Sequence, residues 1–101
     1  MLTFKEEHLL NKLKEHHPFW ITLVVSKEDA FKKWFKSEAN ALPQRAEDEK
    51  AFKEAEKYLR QSERGLAEWV KGLGYKQPFA AFERLHGDVG RMYTQTQMPS
   101  P

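Results

Sequence analysis

Apolar residues recur at helical spacing along most of the chain, and Pro and Gly cut the pattern into four segments. In the first, Phe4, Leu9, Leu10 and Leu13 follow at helical intervals, with Lys12, Lys14 and Glu15 on other faces. Thr3 and Glu6 have the spacing of a capping box, in which two side chains satisfy the free N–H groups at a helix start. Pro18 lacks the N–H needed to continue, so a first helix is predicted over 3–17.

The second segment, 18–41, opens on Phe19-Trp-Ile-Thr-Leu-Val-Val25, a composition that suits a strand. A strand needs a partner, and the only other candidate is the weaker stretch 89–97. Two features favour a helix. Pro18 would stand at the first helical position, where its missing N–H costs nothing. Trp20, Leu23, Val24, Phe31, Trp34 and Phe35 then share one face. A helix is predicted from 18, firm from 27 to 39, with a short β segment over 19–25 as the alternative.

The third segment, 44–73, carries the clearest signal. Phe52, Ala55, Leu59, Ser62, Leu66, Trp69 and Leu73 fall at alternating steps of three and four, which is a heptad seam. Pairs of opposite charge at i,i+4, such as Glu56 and Arg60, occupy the other faces. Gly72 and Gly74 provide a left-handed stop. In the fourth segment, Pro78 starts a short helix with Phe79, Phe82 and Leu85 on one side and Gly87 as its cap. The expected fold is all-α: one helical domain over 1–97, a small bundle with one long amphipathic helix, and a flexible tail over 98–101.

Length sharpens this picture. Thirty residues of helix span ~45 Å, whereas a compact chain of this size is only ~33 Å across. The third helix must bend at Gly65, pack along its own chain, or offer part of its seam (Phe52, Leu59, Leu66, Trp69) to a second chain. Packing within the chain is the ordinary fate of such a seam. Self-association into a homodimer is the other outcome that the length argument supports.

Composition removes several classes of function. The 101 residues include no Cys, which excludes disulfides, thiolate nucleophiles and Cys-ligated metals. The longest apolar run falls far below the ~20 residues of a membrane span, and no signal peptide is visible, so a reducing, cytoplasmic setting without membrane contact is expected. The four histidines lack the i,i+4 spacing of a helical metal pair, so no metal or other cofactor is expected. Glu47, Asp48 and Glu49 suit the positive end of a helix macrodipole without any catalytic role. No serine stands in a nucleophile turn and no glycine loop cradles phosphate, so the chain is not expected to be an enzyme.

Two functional readings remain. The first is a non-enzymatic interaction or regulatory protein that self-associates through the long helix and binds a protein partner, using its 13% aromatic residues as anchors. The second is a nucleic-acid-binding regulator with Lys32, Lys33, Lys36 and Arg84 on phosphates. A net charge of +2 is small for such a binder.

Overall fold

The computed structural model describes the backbone of residues 2–37 and 42–97, and the side chains of 2–37 and 43–91. It contains four helices among these residues: α1 (Phe4–His16), α2 (Pro18–Lys36), α3 (Leu42–Gly72) and α4 (Pro78–Gln97). The expected tail over 98–101 lies outside the described residues.

Local chemistry sets most of the boundaries. Thr3 Oγ1 caps the helix by accepting from the Glu6 N–H at 3.1 Å, and the Glu6 carboxylate accepts from the Thr3 hydroxyl at 2.9 Å. His17 interrupts the helical run for one residue, and Pro18 opens α2. The 19–25 stretch is helical, not strand: Trp20, Ile21, Val24 and Val25 are buried at helical spacing. At the far end of α3, Gly74 has φ 104°, a conformation that glycine adopts without strain. Its N–H bonds the Lys71 carbonyl at 2.9 Å.

Three expectations need correction. The fourth helix does not stop at Gly87 but continues to Gln97. Leu85 and Val89, both fully buried, carry one apolar stripe across that glycine, and their burial outweighs the ~1 kcal/mol that an interior glycine costs. Phe4 and Phe35 are not core residues; they are 90% and 66% exposed. α3 begins at Leu42, two residues before the third segment read from the sequence, 44–73.

α2 is the hub and packs on each of the other three helices. It meets α3 antiparallel: Trp20 contacts Glu63, while Trp34 stacks on Phe52 with ring centroids 5.3 Å apart. It meets α4 parallel: Trp20 lies 5.6 Å from Phe82, and Glu28 lies against Gly90 further along. Leu9, Leu10 and Leu13 of α1 complete a core built around Trp20, Val24, Leu59, Val70, Phe82, Leu85 and Val89. Tyr75, in the α3–α4 turn, donates its hydroxyl to the Lys5 carbonyl at 2.6 Å, tying that turn to α1. Burial pushes this hydroxyl above its usual 10.0, an effect partly offset by a hydrogen bond with the backbone of Leu9.

α3 is a single rod, unbroken at Gly65. The molecule stretches to accommodate it, with extents of 47 × 32 × 19 Å. The long axis matches the ~46 Å expected of 31 helical residues. α2 runs beside the part of α3 that would otherwise overhang.

Candidate functional site

Two flanks of α3 hold the features with functional content. One is the seam flank. At 100° per residue, Ala51, Ala55, Tyr58, Ser62, Gly65 and Trp69 fall within an arc of about 80°. From Ala51 to Leu73 this arc carries no charged residue, although charged residues make up 32% of the chain. Beside it on α2 lie Phe19, Leu23, Ser26 and Ala30, also uncharged. Phe19, Leu23, Tyr58 and Ser62 line one groove between the two helices. Phe19 is 67% exposed and Tyr58 is 56% exposed.

The seam itself divides. Leu59 is buried in the core, and Leu66 and Trp69 are half-buried against it. Trp69 also packs edge-on against His17, at 4.5 Å between ring centroids, and against His16 at 6.0 Å. Phe52 is half-buried between Trp34 and Phe31. These four residues therefore pack within the chain, while Tyr58 and Ser62 on the same flank look outward. A straight helix drifts ~20° per heptad, so a seven-residue repeat cannot keep one face over three heptads. The buried positions on α3, including Leu59, Glu63, Ala67 and Val70, follow the 3.6-residue repeat instead.

The opposite flank borders a cleft of 510 Å³ between α3 and α4, floored by α2. Lys27, Leu59, Glu63, Arg64, Phe79 and His86 line it. Glu63 is 5% exposed. One of its carboxylate oxygens, Oε2, takes a hydrogen bond from the Trp20 indole N–H at 3.0 Å and lies 2.6 Å from His86 Nε2. Three helices thus meet at one buried carboxylate, which is stabilised because both partners can donate to it. Sequence reasoning missed this cluster. The available signal was Glu63 on the same helical stripe as Leu59 and Val70, where an isolated charge demands partners.

The cations singled out in the sequence are not all brought together. Lys32, Lys33 and Lys36 are exposed on the last turns of α2. Lys33 lies 4.0 Å from Asp48, which is buried and also accepts from Gln44. Arg84 stands on α4, in a separate cleft with Lys5 and Lys76. No group of His, Asp and Glu among the described residues could hold a metal ion, and no described helix is long and apolar enough to cross a membrane. Comparisons with protein-family models, with curated proteins and with solved structures find no match to this chain.

Proposed function

We propose that this protein is a non-enzymatic interaction domain that self-associates through the uncharged flank of the α2–α3 hairpin. The observation that carries this reading is the exposure of Phe19 and Tyr58 around an apolar groove on a flank without charge. A second copy is the occupant that fits. An uncharged strip offers no sign for a charged partner to complement, and it can meet itself across a two-fold axis without repulsion.

The size is adequate. The arc from Ala51 to Trp69 is ~27 Å long and the hairpin is two helices, or ~20 Å, wide. Pairing two such strips buries on the order of 1,000 Å² in total, where specific interfaces begin. Binding of a further protein partner through the exposed aromatic side chains belongs to the same reading, since aromatic anchors dominate binding energetics.

Sedimentation over a range of concentrations tests it. Wild-type protein is expected to pass from monomer to dimer, while Phe19→Lys and Tyr58→Lys remain monomeric with unchanged melting temperatures. A wild-type chain that stays monomeric at the highest concentration overturns the proposal.

The nucleic-acid reading keeps one observation in its favour. Lys32 and Lys36 are exposed and, among the described residues, have no carboxylate within 4 Å. Against it stand the proximity of Lys33 to Asp48 and the separate position of Arg84. Phosphate contacts require affinity that falls steeply with salt, so weak binding that is flat across a salt series removes this alternative.

A further inference from the structure

We infer that the cleft between α3 and α4 is a binding site for a small organic carboxylate with an aromatic or aliphatic body. The site is on the opposite flank of α3 from the proposed dimer surface, so either can fail without the other.

The argument starts from Lys27. It lies on the side of α2 that faces α3, between Trp20 and Trp34, and it is half-buried where the cleft reaches α2. Among the described residues no carboxylate comes within 4 Å of its ammonium group. A cation that lines a cleft without a counter-ion within 4 Å is free to engage an anion that enters there. Two of the three carboxylates that line the cleft already have partners. Glu63 is engaged by Trp20 and His86. Glu56 lies 3.9 Å from Arg60. Glu83, the third, lines the cleft from an exposed position on α4. Arg64 adds a second cation without an ion-pair partner among the described residues.

Apolar surface for the rest of the ligand comes mainly from Phe79, 48% exposed, with the buried Leu59 behind it at the core side. A volume of 510 Å³ lies within the ~300–1,000 Å³ typical of small-molecule sites. Lys27 and Arg64 would hold the carboxylate, Phe79 and Leu59 the body. The Glu63–His86–Trp20 cluster would act as a positioning element, fixing α4 against α3 at the width of the ligand.

The probe is 3-phenylpropanoate, compared with its neutral amide, followed by backbone amide shifts of the full chain in solution. The acid is expected to saturate, with shifts centred on Lys27, Leu59, Phe79 and His86. The amide is expected to bind about tenfold more weakly, as is the acid to Lys27→Met, a substitution that keeps the packed stem and removes the charge. Arg64→Gln, at an exposed position, gives the same comparison if Lys27→Met fails to fold. Equal binding of acid and amide, wild-type affinity in the folded variants, shifts centred elsewhere, or no saturation at millimolar acid would each overturn the inference.

Discussion

Trp20 and Trp34 stand on one side of α2, about four turns apart, and meet α3 on very different terms. Trp20 is fully buried, surrounded by side chains from the other helices, with its N–H on Glu63. Trp34 is half-buried and stacks on Phe52, but its indole N–H is shielded from solvent and has no acceptor among the described residues. The neighbouring Phe31 and Phe35 are 41% and 66% exposed. The bundled half has α1 and α4 to cover the hairpin. Toward the distal end the aromatic side chains rest largely on one another, at centroid distances of 5.3 to 6.3 Å. Both indoles face α3, but only at the bundled end does that helix present the indole N–H with a carboxylate, Glu63, which His86 of α4 also engages.

Substitutions can break or sharpen this contrast. The largest effect is expected at Glu63. Replacement with Ala strands the Trp20 N–H and His86 in a buried setting and should cost about 3 kcal/mol. Thermal melting should show a fall of roughly 10–20 °C for a chain of this size. Glu63→Gln keeps an acceptor and should recover part of the loss.

Next come two of the helical glycines, Gly65 and Gly90. A Cβ at Gly65 would meet nothing within 4 Å. Gly65→Ala should therefore gain about 0.5–1 kcal/mol from helix propensity alone. At Gly90 the new atom would lie 2.9 Å from Glu28 Cγ, where α4 is pressed to α2. There the same substitution should yield no gain and should lower the melting temperature.

The smallest effect is expected at Trp34. Trp34→Phe removes a donor that has no partner among the described residues while keeping an aromatic ring on Phe52, so stability should change by less than about 0.5 kcal/mol. A loss comparable with that at Glu63 would mean that the two ends of the hairpin are equally well satisfied after all.

Much of the architecture was legible because short-range rules governed it. The Thr3–Glu6 cap, Pro18 as a helix opener and Gly74 as a left-handed stop each act over a few residues. Gly87 misled for the same reason: its local preference for a cap lost to the burial of Leu85 and Val89. The heptad at Phe52, Leu59 and Leu66 showed that α3 was long and amphipathic, but not which side of each residue would face α2. The Glu63–His86–Trp20 cluster was illegible as a unit because its members are 43 and 23 residues apart in the chain. Nothing local announces that α4 will lie parallel to α2.

The hub position of α2 also bears on the time course of folding. Its contacts with α1 and α3 join neighbours in sequence through short loops, which close quickly. The α2–α4 contact is different, because the whole length of α3 intervenes. Arrival of α4 should accordingly be the late event on the folding path, and the pocket beneath Lys27 should come into being only at that moment.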